Sequence, residues 1–195
     1  MKTFYLERSV SSARDGGWVE DIDVSDVELI VVGTGPGSFA GVRAAIAFAQ
    51  GCSVGNGCEV LALPSPCAIA GEMGFSPSEA YPEGEILAVV GDARRGKRWI
   101  CIFSGKQGPV EVFQVSQGEV EGAVPKGAKV VSPDDARLAQ ELKEAFGENY
   151  LGLKSPTSEG LRLYAQSDSS ALLSDVRPIY LNPATANASK IPSPR

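Results

Sequence analysis

The sequence predicts an α/β protein with a largely parallel sheet, and three observations point there. Leu29, Ile30, Val31 and Val32 form a continuous apolar run rich in β-branched residues, as in a strand buried on both faces. The chain then turns through Gly33, Gly35, Pro36 and Gly37 into a long helix-compatible stretch without proline. After that stretch, Cys58 to Leu63 returns to strand character and is closed by Pro64.

Taken in order, Thr3 to Leu6 is a short apolar strand and Glu7 to Ser12 a polar turn. A second strand should follow, but Arg14, Asp15, Gly16 and Gly17 make a turn. Only Trp18, Val19 and the alternating Ile22 and Val24 precede the main strand. In the glycine turn, Pro36 stiffens the backbone and the glycines admit positive φ and close approach. Ser38 is placed to cap the next helix. On that helix Phe39, Val42, Ile46 and Ala49 share one face, Ala44, Ala45 and Ala47 keep it slim, and Gly51 is the expected stop. A glycine turn leading into a helix N-terminus is also a ready anion site. The spacing of Gly33, Gly35 and Gly37 matches neither G-x-G-x-x-G nor a Gly-Lys-Ser/Thr loop, so ligand cradle and tight structural turn both stay open.

Further along, Ser65 reads as an N-cap and Pro66 as the first position of a helix running toward Met73. Gly74 to Gly84 holds two prolines and two glycines and is the expected linker, dividing an N-terminal lobe, 1–82, from a C-terminal lobe, 83–183. Ile86 to Val90 and Arg98 to Phe103 are strands around the turn G-D-A-R-R-G-K, which carries the densest basic cluster in the chain. Val110 to Val115 and Lys129 to Val131 are further strands. The stretch S-P-D-D-A-R-L-A-Q-E-L-K-E-A-F-G is a well-signalled helix: Ser132 as cap, Pro133 first, Asp134 and Asp135 against the dipole, and Gly147 as the end. Ser158 to Gln166 is a shorter helix candidate weakened by Gly160. Residues 184–195 carry almost no apolar surface and read as a flexible tail.

The run G-P-G-S-F-A-G-V-R, followed by a small-residue helix ending A-Q-G, resembles the signature of the TsaB (YeaZ) family, whose usual form is G-P-G-S-F-T-G-V/L-R. Two weaker landmarks follow in the right order. I-L-A-V-V-G-D-A-R-R-G-K-R-W is similar to the family's I-D-A-R-x-G-E-V-Y, and R-P-I-Y-L-N to its E-P-x-Y-L-R. The resemblance implies an actin-like, hsp70-like and sugar-kinase-like ATPase fold of two lobes with mixed sheets. It also implies a non-catalytic role beside a TsaD-like subunit that places threonylcarbamoyl on the adenosine next to the anticodon of tRNA. Two departures stand out: Glu7-Arg8-Ser9 replaces the usual Asp-Thr or Asp-Ser opener, and the helix expected before G-P-G-S-F is missing. In relatives that helix and the G-P-G-S-F helix dock together onto TsaD. The resemblance further makes Asp92 the position for a phosphate-facing acid; as residues alone, an Asp before Arg and Gly reads first as a turn-former bonding local N–H groups.

Composition narrows the functions. The chain has 195 residues, 43% of them hydrophobic and 22% charged, as in an ordinary globular protein. Its net charge is -6, so a partner should hold most of any tRNA involved. There is no histidine, which removes Ser-His and Cys-His catalysis and histidine-ligated zinc. It also sets the chain apart from TsaD, whose branch carries a metal-binding histidine pair. Cys52, Cys58, Cys67 and Cys101 form no C-x-x-C pair and read as reduced, mostly buried thiols rather than metal ligands. No stretch is long and apolar enough to span a membrane, and a cytoplasmic protein is expected.

These readings lead to a scaffold that acts by contact, with no catalytic residue of its own and no tightly bound cofactor. ATP and magnesium would be held at low affinity or through the partner. The docking-face candidates are Phe39, Val42, Arg43, Ile46 and Gln50; about half of the apolar ones are expected in the core, because one stripe must face the sheet. Gly33, Gly35, Pro36, Gly37 and Ser38 form the structural or anion-binding turn. Expected partners are a TsaD-like subunit, a TsaE-like ATPase in the same complex, tRNA indirectly, and a second copy when the chain is alone. The competing reading is a catalytically competent ATPase or small-molecule kinase, recruiting Ser9 to Ser12, Gly35 to Ser38 and Asp92.

Overall fold

The structure is a computed structural model that describes residues 1–10, 23–75, 84–104, 110–133 and 136–181. The expected strand near Trp18 and Val19, the boundary at 82/83, the helix-opening Asp134 and Asp135, and the tail 184–195 lie outside the described residues.

The first sheet has the order β1-β2-β3, formed by Thr3–Leu6, Leu29–Gly33 and Glu59–Leu63, and both pairings are parallel. All of β2 is buried, as its unbroken apolar run requires. Its side chains alternate between two cores. Ile30 and Val32 meet α1 (Phe39–Asn56) through Val42, Ala45, Ile46 and Ala49, while Leu29 and Val31 face the opposite side.

On that opposite side lie α2 (Pro66–Glu72) and α5 (Ser158–Ser167), in a layer shared with the second sheet. One continuous core joins Leu29, Val31, Leu63, Cys67, Ile69, Leu161 and Tyr164 to Leu87, Val89, Trp99 and Phe103. The two helices approach closely because both are notched. A methyl group on Gly160 would collide with the Ala68 carbonyl, and one on Gly71 with the Gly160 carbonyl. The glycine that weakens α5 as a sequence is therefore a packing requirement.

The second sheet is mixed, with the order β6-β5-β4-β7-β8. β4 (Leu87–Arg94), β5 (Lys97–Phe103) and β6 (Val112–Ser116) are antiparallel neighbours, and β7 (Lys129–Ser132) and β8 (Tyr150–Leu153) add in parallel. Its outer face carries α3 (Val120–Ala123) and α4 (Ala136–Phe146), with Leu138 and Leu142 packed among Ala88, Val90, Ile100 and Val130. The architecture is thus an α/β fold of two sheets with helices between and outside them, and the second sheet is mixed.

Several expectations are corrected. α1 runs past Gly51 to Asn56 and stops at Gly57, whose φ of 77° and bond from its amide to the Ser53 carbonyl (2.9 Å) make the left-handed cap. Ser65 sits in the helical region and makes no side-chain cap. β8 follows a 3-10 turn, Gly147–Asn149, where the sequence suggests only a helix end. β4 extends to Arg94, so the hairpin loop is just Arg95–Gly96, with φ of 54° and 71° as in a type I′ turn. Arg94 also has a positive φ, 67°, beside a bulge at Asp92/Arg94, and each left-handed arginine costs roughly 1–2 kcal/mol.

Candidate functional site

The ends of β1, β2 and β3 bring Glu7 to Ser9, Gly33 to Ser38 and Ser65 together, and the C-terminal segment crosses above them. Thr34, Gly35 and Ser38 of the glycine turn are hydrogen-bonded by this chain itself. The Thr34 amide donates to the Leu63 carbonyl (2.9 Å), the Gly35 amide to Ser65 Oγ (2.9 Å), and the Ser65 amide returns to the Gly35 carbonyl (2.8 Å). That exchange explains why Ser65 caps no helix. At the start of α1, the Ser38 amide donates to the Ser9 carbonyl, and Ser38 Oγ accepts from the Gly41 amide (3.3 Å) as its expected cap.

Three glycines are needed for this contact, Gly33, Gly37 and Gly41, the last because a methyl there would strike the Arg8 carbonyl. A methyl group on Gly37 would strike the Ser9 carbonyl, and one on Gly33 would overlap the Glu7 carboxyl. The slim turn thus accommodates residues 7–9 of its own chain, seated where an anion would approach the helix N-terminus. Gly35 has a φ of 85°, and the Gly35–Pro36 peptide is cis.

Glu7 is buried beneath the turn. Its Oε1 accepts from the Ser9 amide (2.6 Å), and Oε2 is buried without a hydrogen-bond partner. Burial raises the carboxyl above the ordinary 4.5, opposed by hydrogen bonds from Ser9 and, more weakly, Ser65 and the Arg8 backbone.

The docking candidates separate by burial. Val42 (4%) and Ile46 (5%) are core residues packed toward β2, so the structure removes them from any contact surface. Phe39 is 61% exposed, and Arg43 and Gln50 are exposed with it. Arg43 lies over the Phe39 ring, 4.6 Å from guanidinium carbon to centroid. Tyr180 packs against the same ring, 5.9 Å between centroids, delivered by a segment whose Ile179 amide donates to the Thr34 carbonyl (2.9 Å). Along α1 the exposed positions Phe39, Arg43, Ala47, Gln50 and Val54 follow helical spacing and form one outer stripe. Val54, 90% exposed, is missed when the helix is ended at Gly51; the unbroken Cys52-Ser53-Val54 is the signal for it.

Asp92 lies on the second sheet. Its Oδ1 accepts from the Arg94 amide (2.9 Å) and Arg98 Nη1 (3.3 Å), and its Oδ2 from Arg94 Nη1 (3.2 Å). Arg98, itself buried, reaches Glu141 on α4 with Nε–Oε1 3.3 Å and Nη2–Oε2 2.7 Å. The carboxylate therefore forms the local turn bonds that an Asp before Arg and Gly favours, and ties the hairpin to α4. Among the described residues no three His, Cys, Asp or Glu side chains cluster as metal ligands, and no helix is long and apolar enough to cross a membrane.

The family model described as "TsaD: tRNA N6-adenosine threonylcarbamoyltransferase" matches residues 19–163. Two solved structures share the fold. One is an uncharacterized protein with similarity to peptidase YEAZ from Pseudomonas aeruginosa, 23% identical at a TM-score of 0.57 over 83% of this chain and 76% of that one. The other is YeaZ from Pseudomonas aeruginosa, also 23% identical with a TM-score of 0.57, over 82% of this chain and 77% of that one. No curated protein matches the chain.

Proposed function

The chain belongs to the TsaD, tRNA N6-adenosine threonylcarbamoyltransferase, family, and on that premise we propose that it is a TsaB-type accessory subunit of the threonylcarbamoyl-adenosine machinery, not the transferase itself. It holds no histidine with which to build the metal site of a TsaD. Its YeaZ-like fold, the G-P-G-S-F turn and the outer face of α1 support a role exercised by contact.

The observation that carries the reading is the exposed stripe Phe39, Arg43, Ala47, Gln50 and Val54, extended by Tyr180. An aromatic pair with a cation over it, beside small and apolar positions, is the composition of a helix face that packs on another protein. The partner is a TsaD-like subunit, with a TsaE-like ATPase reached through it and tRNA held mainly by it; in its absence the same face pairs two copies of this chain. The Ser38 amide donates to the Ser9 carbonyl and the Gly35 amide to Ser65 Oγ, which supports a turn occupied by the chain's own residues, with ATP and magnesium bound weakly or at the joint surface.

Co-expression with the TsaD-like protein of the same genome, followed by affinity capture, tests this. Wild-type chain is expected to be retained and the double variant Phe39→Asp with Val54→Asp to be washed away while staying folded. Equal retention of wild type and the double variant would remove the α1 face. Calorimetry of the isolated chain should give millimolar or weaker ATP-magnesium binding; micromolar binding would overturn the scaffold reading.

A further inference from the structure

We propose that the tip of the β4–β5 hairpin is a contact for the phosphate backbone of RNA, made by Arg94, Arg95 and Lys97; the identity of the RNA as tRNA rests on the function proposed above. The backbone is the first argument. Arg94 and Arg95 are the non-glycine residues with positive φ among the described residues, and they adjoin Gly96 in the same conformation. Glycine or asparagine would sit there without strain, so the turn carries cations where its geometry disfavours them.

Charge placement is the second argument. Arg98 is directed inward and engaged by Asp92 and Glu141. Asp92 also holds Arg94 by backbone and side chain, fixing the direction of that guanidinium. Arg95 and Lys97 are exposed, and among the described residues no carboxylate pairs with either. Three cations in four positions thus stand at the end of a braced two-stranded finger in a chain of net charge -6.

The chemistry of the surroundings selects RNA over an acidic protein. Arg94, Arg95, Gly96 and Lys97, with Ser116 and Gln117 on the adjoining strand end, present no apolar side chain. A protein partner would require an apolar anchor at the centre of its contact. Phosphate contacts require only positioned donors, and arginine suits them by its planar fork. The contact is small, so it positions an RNA held mainly by other surfaces.

Fluorescence anisotropy of labelled, unmodified tRNA with the full chain, from low to moderate salt, tests the proposal. Wild type is expected to bind with log Kd rising against log salt at a slope of about 2. Arg95→Glu with Lys97→Glu should weaken binding at least about 10-fold and lower that slope by one or more, roughly one for each phosphate no longer neutralised. Lys126→Glu with Lys143→Glu changes net charge equally at exposed sites elsewhere and should stay near wild type. Arg95→Gly supplies a second reading: melting should rise by about 2–4 °C as strain is relieved, while tRNA binding falls. A hairpin variant no weaker than the control pair, wild type that fails to bind at low salt, or labelled polyglutamate bound as tightly as tRNA would each overturn the proposal. Such a result with intact capture of the TsaD-like subunit would leave the accessory-subunit reading standing.

Discussion

Gly160 of α5 lies directly against α2, with its own carbonyl over Gly71, and the crossing has room for neither side chain. Two elements about ninety positions apart in sequence are thereby pressed together between the sheets.

This gives a stability test with a diagnostic sign. In an exposed helix, Gly→Ala adds up to about 1 kcal/mol. At Gly160 or Gly71 the methyl meets backbone carbonyl, so Gly160→Ala should instead lose about 1–3 kcal/mol in denaturant unfolding. A stabilised variant would show that the helices can move apart freely.

Burial of Glu7 predicts a pH dependence. Its native carboxyl is raised, so the folded chain keeps that proton to higher pH than the unfolded chain does. The group's favourable contribution is fully present below the ordinary 4.5 and is lost as pH rises through the elevated native value. Glu7→Gln keeps an oxygen for the Ser9 amide and removes the titration. Its melting temperature should therefore match wild type at the acidic end and exceed it increasingly toward neutral pH; a constant difference would remove Glu7 as the cause.

Position on α1 separates folding from docking. Val42→Asp places an unpaired charge against β2 and should cost on the order of 4 kcal/mol. Phe39→Asp and Val54→Asp lie outside the core and should stay within about 0.5 kcal/mol of wild type by chemical denaturation. Light scattering on the isolated chain should find wild type self-associated and the Phe39→Asp variant shifted toward monomer.

Arg98 should resist conservative replacement. Its guanidinium spans Asp92 and Glu141 by three bonds, which an ammonium cannot reproduce. Arg98→Ala takes the cation from Glu141 and leaves Asp92 paired with Arg94, so it should lose about 2 kcal/mol, and Arg98→Lys should recover less than half of that in the same unfolding assay.

Sequence patterning revealed the segments whose cause is local. The β-branched run of β2, the glycine turn and the Ser38 cap are specified by residues that touch one another. Gly51 misleads because it resembles a stop, whereas an exposed helix tolerates glycine and the left-handed residue is Gly57. Ser65 looks like a cap because nothing local reveals that its hydroxyl serves Gly35, thirty positions away. Val42 and Ile46 cannot be told from Phe39 by spacing alone, since periodicity defines a face but not which neighbour lies beneath it. The four-residue β8, interrupted by Gly152, depends on β7 for its strand character.

The placement of α5 governs when the molecule can mature during synthesis. Leu29, Val31 and Leu63 are made early, as is α2, yet α5, the second helix of the layer over them, emerges from the ribosome only after the whole second sheet. A nascent chain halted near residue 150 would carry a partly uncovered greasy surface on its first sheet. Chaperone capture and clearance of stalled products are therefore expected to concentrate on that late window.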